Sequence, residues 1–155
     1  MKILVVYDSK YGHTEMVAQA IGEAIEGEVL QVGHVTAADL QGFDLLIVGS
    51  PTHGGWPTEG IQGLLKAKLV LEGARAAAFD TRTVSIWNRI FRFGYAAPRI
   101  SRLLESNGAD LVAEPEGFVV LGMQGPLKDG ELERAAAWAQ GLVEHQSGRH
   151  MGGGG

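Results

Sequence analysis

The feature that most restricts the fold is a set of short apolar runs, each ending in a polar loop and each followed by a segment with helical spacing. The first run, Ile3-Leu4-Val5-Val6-Tyr7, stops at Asp8-Ser9-Lys10-Tyr11-Gly12-His13-Thr14, after which Val17, Ala20, Ile21, Ala24 and Ile25 recur at the i, i+3, i+4 spacing of one helix face. That change of period reads as strand, turn, helix. Residues 44–49 repeat the motif as a continuous apolar strand, the kind buried on both faces of a parallel sheet, and run into a second polar loop, 50–59.

The remaining elements follow in order. Residues 28–35 read as a second strand and 36–40 as a helical turn capped by Thr36. A helix is expected over 59–71, closed by Gly73, and a fourth strand over 74–80. The third loop, 81–94, is long enough to expect a short helix or flap inside it, and it holds Trp87, Phe91 and Phe93. A helix over 95–107 stops at Asn107-Gly108; the last strand, 111–113 and 117–121, is interrupted near Pro115; the final helix covers 131–144. Residues 1–144 therefore read as one domain, and the Gly-rich 145–155 as a flexible tail.

Five strands alternating with helices imply an α/β fold: a doubly wound, five-stranded parallel sheet with helices on both faces, because parallel strands need crossovers and the crossovers cover the sheet. Ligands in such sheets bind beyond the carboxyl ends of the strands. All three polar loops lie there.

Composition removes several alternatives. The 155 residues include no Cys, which excludes disulfides, thiolate chemistry and Cys-held zinc or iron–sulfur clusters in this chain. No cluster of metal ligands stands out, and neither a signal peptide nor a membrane span is recognisable, so a cytoplasmic protein is expected. The net charge of -5 conceals a split: residues 82–104 carry Arg82, Arg89, Arg92, Arg99 and Arg102 without an acid, +5, leaving -10 for the rest. A negative total disfavours nucleic acid, while a local basic field could steer a charged partner.

The first loop has the chemistry of an anion site. The opening N–H groups of a helix lack intrahelical partners and the dipole favours negative charge. Ser9 and Thr14 add hydroxyls, and Gly12 lets the backbone approach a ligand. Neither the triphosphate-loop nor the dinucleotide glycine spacing is present, so a terminal monoester phosphate held by neutral donors suits it. An ordinary βα turn capped by Thr14 is the plain alternative. In the second loop Trp56, set among Gly54, Gly55 and Pro57, offers a flat face for a planar heteroaromatic ligand, or else packs over the following helix. His53 could join it, and Asp80, Thr81 and Arg82 end the fourth strand opposite.

Taken together, Ser9-Lys10-Tyr11-Gly12-His13-Thr14 and Gly49-Ser50-Pro51-Thr52 with Trp56 resemble the phosphate loop and second loop of the flavodoxins, over residues 2–144 and of the short-chain type. The resemblance implies strand order 2-1-3-4-5, flavin mononucleotide (FMN) as cofactor, and contacts from Ser9, Lys10, Tyr11, Gly12, His13, Thr14, Ser50, Pro51, Thr52, His53, Gly54, Gly55, Trp56, Asp80, Thr81 and Arg82. It implies an electron carrier between redox partner proteins, with no catalytic side chain. An FMN-dependent NAD(P)H:quinone or small-molecule reductase is the second reading. A receiver-like binding module is the third, weakened because Ser50 ends the third strand and Asp8 stands alone. The chain departs from the family in its third loop, where Asp80-Thr81-Arg82 leads into an Arg-rich aromatic segment.

Many flavodoxins carry Gly after the second-loop aromatic, where a peptide turns to accept a hydrogen bond from reduced flavin. Pro57 holds φ near -65° and Thr58 resists a positive φ, so this peptide is poorly suited to turn. Weaker stabilisation of the one-electron-reduced flavin than in flavodoxins generally is expected in a redox titration; a large, persistent blue species would refute it and implicate Gly54-Gly55.

Overall fold

The computed structural model, which describes residues 1–67, 69–84 and 94–153 (side chains as far as residue 144 in the last helix), turns each apolar run into a parallel strand. The strands are β1 (Ile3–Tyr7), β2 (Glu28–Gln31), β3 (Leu45–Pro51), β4 (Arg75–Thr83), β5 (Asp110–Leu111) and β6 (Glu116–Val120). They lie in the order β2-β1-β3-β4-β5, and β6 also pairs with β4. β5 pairs with Arg75 and Ala76 while β6 pairs with the 79–83 half of β4, so the two are halves of one fifth position, parted around Pro115. The sheet is thus the expected one with its last strand divided in two.

Alternation along the strands divides the core. Leu4, Val6, Leu46, Val48, Ala76 and Ala78 face one way, against α2 (Glu59–Lys66) and α3 (Ala96–Ser106). Ile3, Val5, Tyr7, Leu45, Ile47, Ala77 and Phe79 face the other, against α1 (His13–Ile25) and the last helix, α4 (Glu131–Gly153). On that second side Phe79, Phe118 and Trp138 meet edge to face, with centroids 6.1 to 6.3 Å apart.

Boundaries differ from the sequence expectation where a side chain outcompetes the helix. β2 ends at Gln31, whose amide oxygen accepts the Gly33 N–H at 2.8 Å and starts a 3-10 turn over Val32–His34. α2 stops at Lys66 rather than at residue 71. Asn107 intervenes: its amide donates to the Leu65 carbonyl at 2.9 Å and its Oδ1 accepts from the Leu69 N–H at 3.2 Å, and Leu69 and Leu71 enter the core from irregular chain. The 36–40 turn forms, with the Asp39 carboxylate accepting from both the N–H and the hydroxyl of Thr36. α4 continues past residue 144 to Gly153, taking in most of the stretch read from sequence as a tail. The expected helix or flap in the third loop, and with it Trp87, Phe91 and Phe93, falls at 85–93, outside the described residues.

Close packing between β3 and β4 sets one glycine. A Cβ on Gly49 would lie 2.0 to 2.3 Å from atoms of the buried Phe79 ring. Gly49→Ala is expected to lower stability by about 1–3 kcal/mol in urea unfolding, the usual cost of overpacking a filled core.

Candidate functional site

The carboxyl ends of β1, β3 and β4 empty into one cleft of about 340 Å³. That is within the range of small-molecule sites. Its first wall is the turn into α1, where Gly12 is the N-cap with φ 91, and a Cβ at that position would meet no atom within 4 Å. Gly12, not Thr14, therefore caps this helix. Asp8 organises the turn: its carboxylate accepts from the Ser9 N–H at 2.8 Å, and the Ser9 hydroxyl oxygen accepts from the Gly12 N–H at 3.0 Å. The N–H groups of Tyr11, His13 and Thr14 have no protein acceptor among the described residues. Both ring nitrogens of His13 are likewise buried without a partner there.

The second wall is a two-residue hairpin. His53 and Trp56 exchange backbone hydrogen bonds of 2.9 and 3.0 Å across Gly54 and Gly55, whose φ values of 56 and 88 are those of a type I′ turn. These glycines, rather than Pro57, hold the backbone freedom of the loop. Ser50 is wholly buried beneath them; its hydroxyl accepts from the Thr58 N–H at 3.0 Å and donates to the Pro51 carbonyl at 2.9 Å. Burial, and then the neighbouring Lys10 ammonium, holds His53 below the usual imidazole range against the pull of Asp8, so it is neutral at pH 7.

The third wall is the end of β4. Thr81 joins the loops: its hydroxyl meets that of Thr14 at 2.8 Å and its carbonyl accepts from the Thr52 N–H at 2.9 Å. Arg82 lines the cleft, but its guanidinium is committed to Asp80 by bonds of 2.7 and 2.8 Å and lies 3.6 Å from the centroid of Tyr95. A Cβ on Gly117 would come 2.2 Å from that guanidinium, so only glycine leaves room for it. Asp80 is fully buried and also accepts from the Ala97 N–H at 2.8 Å at the start of α3.

Of the residues expected from sequence, Ser9, Lys10, Tyr11, His13, Thr14, Pro51, Thr52, His53, Gly54, Thr81 and Arg82 line this cleft together. Gly12, Ser50 and Asp80 shape it from behind. Gly55 and Trp56 do not line it: the indole carries the Arg99 guanidinium 3.6 Å from its centroid and faces a separate recess. Sequence reading missed Thr83, Val120, Gly122 and Met123. The last three belong to a hairpin closed by Leu121 N–H to Pro126 carbonyl and Lys128 N–H to Val119 carbonyl bonds of 2.8 and 2.9 Å. The signal was Gly122 and Gly125-Pro126 between apolar residues, a turn pattern next to a strand.

A family model for flavodoxin matches residues 5–138 of this chain. The chain belongs to the flavodoxin family. The family's cofactor is FMN, and the cleft fits it: the unpartnered amides at a helix start suit the phosphate, and the glycine hairpin lets a flat ring approach backbone. Among solved structures, a flavodoxin from the domain Archaea is 24% identical with a TM-score of 0.77, covering 93% of this chain and 97% of that one. Flavodoxin 2 from Bacillus cereus is 23% identical with a TM-score of 0.78, covering 93% and 99%. Rubredoxin oxygen:oxidoreductase from Desulfovibrio gigas is 20% identical with a TM-score of 0.72, covering 94% of this chain and 37% of that enzyme. Among the described residues no helix is long and apolar enough to cross a membrane, and no group of three or more His, Asp or Glu could hold a metal ion.

Burial pushes the Asp80 carboxyl above its ordinary value of 3.8, against the lowering pull of Arg82, the Ala97 N–H and the Thr52 hydroxyl. A carboxyl raised in the folded state adds stability that is complete below the unfolded value and is lost as pH rises through the folded one. Measured by urea unfolding against the non-titrating Asp80→Asn variant, the wild type should therefore gain relative stability as pH falls from 7 towards 3.8, with no further gain below. The opposite slope would show that its donors outweigh burial.

Proposed function

We propose that this chain carries electrons between redox proteins, with FMN held in the cleft by the turn into α1, the 50–56 loop and the end of β4. The observation that carries the reading is the convergence of three strand ends on one cleft, where the amides of Tyr11, His13 and Thr14, and whichever of the paired Thr14 and Thr81 hydroxyls does not donate to the other, offer protons to an anion. Bound there, the flavin supplies one- and two-electron transfer. The chain's own residues bind and orient it. Ser9, the Tyr11 amide, His13 and Thr14 take the phosphate; the Tyr11 ring, His53, Gly54 and the 120–123 turn border the flavin; Asp80 and Arg82 neutralise one another and fix the floor.

No nucleophile or general base is required by this role. It favours a carrier over a reductase, because an electron carrier needs only a cofactor with a reachable edge. Trp56 is left outside the ring's immediate contacts and reserved for the surface.

Visible absorption of the purified protein, before and after FMN is added, tests the reading; a colourless protein indifferent to the flavin would end it. Thr14→Val should weaken FMN binding about 10- to 100-fold, since a hydrogen bond to a charged group is worth about 1.5–3 kcal/mol. Trp56→Ala should change it by less than about threefold, because the loss falls outside the bound surface. Steady NAD(P)H oxidation with a quinone and no protein partner would favour the reductase instead.

A further inference from the structure

A second recess lies on the other side of the 53–56 hairpin. Trp56, Pro57 and Leu103 form its apolar floor, and Lys66, Arg99 and Arg102 stand around it. Its volume is about 200 Å³. Small-molecule sites usually run from about 300 to 1,000 Å³, so this one is sized for one or two side chains of a larger partner.

The recess is built rather than incidental. Arg99 is fixed at two points: its Nε donates to the Gly55 carbonyl at 2.8 Å, and its guanidinium carbon sits 3.6 Å from the Trp56 centroid. This holds a large aromatic and a cation in register while the indole stays 49% exposed. Lys66, on the last turn of α2, is held by the Gln62 side-chain oxygen at 3.3 Å, and Arg102 is exposed on α3. Among the described residues no carboxylate pairs with Lys66 or Arg102. Three cations therefore border the recess with no acid in its lining, on a chain whose residues outside 82–104 sum to -10.

We propose that this recess docks an acidic segment of the partner protein, a carboxylate seating between Lys66 and Arg102 and an apolar neighbour resting on Trp56. Tryptophan and arginine are the residue types that dominate interface energetics, and a basic rim selects a partner of opposite sign while raising its encounter rate. Position ties the recess to electron transfer: Gly54 lines the cleft and Trp56, two residues on, lines the recess. A partner seated here is held beside the cofactor. The inference rests on the carrier reading for its purpose, though not for its chemistry.

The test uses two forms of one acceptor, a basic cytochrome c and the same protein succinylated to reverse its charge. The reduced, FMN-loaded chain should reduce the acidic form faster at low ionic strength, with the advantage fading as salt rises. The Lys66→Glu, Arg102→Glu double variant should bind FMN as the wild type does and lose about tenfold or more in rate with the acidic form, the lower end of electrostatic steering effects. A preference for the basic form, or a variant with unchanged rates, would overturn the proposal. Should the chain bind no FMN, the carrier reading fails, and a second measurement still decides the docking surface. Hexaglutamate peptide added to the chain as purified should shift the Trp56 indole N–H resonance, and should not do so in the double variant. No shift, or a shift produced by NADPH or pyrophosphate and not by the peptide, would overturn it.

Discussion

A parallel strand buried on both faces leaves room for polar side chains only toward its ends, and the layout of the site follows from where the polarity is then forced to go. β1 is buried throughout, and β3 is buried from Leu45 to Ser50. Hydroxyls, carboxylates and glycines consequently collect at the carboxyl ends of the strands, where the chain must also turn into its crossover helices. The opening amides of α1 arrive at that same edge without acceptors. Two-sided burial meeting the unsatisfied start of a helix therefore leaves free donors at one edge, the chemistry an anion site needs.

The three loops then need a common frame, and buried polar contacts supply it. Ser50 braces the second loop from below, Thr81 ties the third loop to both of the others, and Asp80 gathers Arg82 and the start of α3. None of these groups is placed to react. Each has an unpaired-group penalty of about 1–3 kcal/mol to avoid, so the contacts persist and keep the cleft's walls in register whether or not a ligand is present. Preformed walls spare a ligand the cost of ordering them.

The alternation of strands and helices, the turn into α1 and the second loop were legible in the sequence because each rests on local chemistry: apolar runs of strand length, a glycine at a helix start, a pair of glycines in a turn; the strand order came from the resemblance to flavodoxins. What escaped it depends on partners distant in the chain. Asn107 ends α2 from 41 residues beyond Lys66, and nothing near residue 66 announces a stop. The 119–128 hairpin reaches the cleft only because β6 lies beside β4. Trp56 is the instructive case: its flanking glycines correctly marked it as exposed, yet the direction its ring faces is set by Arg99 on α3, 43 residues on.

The arginine cluster makes the same point about charge. Summed along the sequence, residues 82–104 are a uniform +5. In space the members described have different environments. Arg82 is 20% exposed, paired with a fully buried carboxylate and stacked on Tyr95, so its charge is spent inside the protein and projects little field. Arg102 is exposed on α3, and Arg99 is spread over an indole that itself faces solvent. A guanidinium on an aromatic face keeps its full positive charge while losing conformational freedom, which makes it a better fixed charge than a solvated lysine. Among the described residues, the basic charge free to project at this edge therefore comes from α3 and Lys66 of α2 rather than from the end of β4, and it lies on the outer side of the hairpin whose inner side borders the cleft.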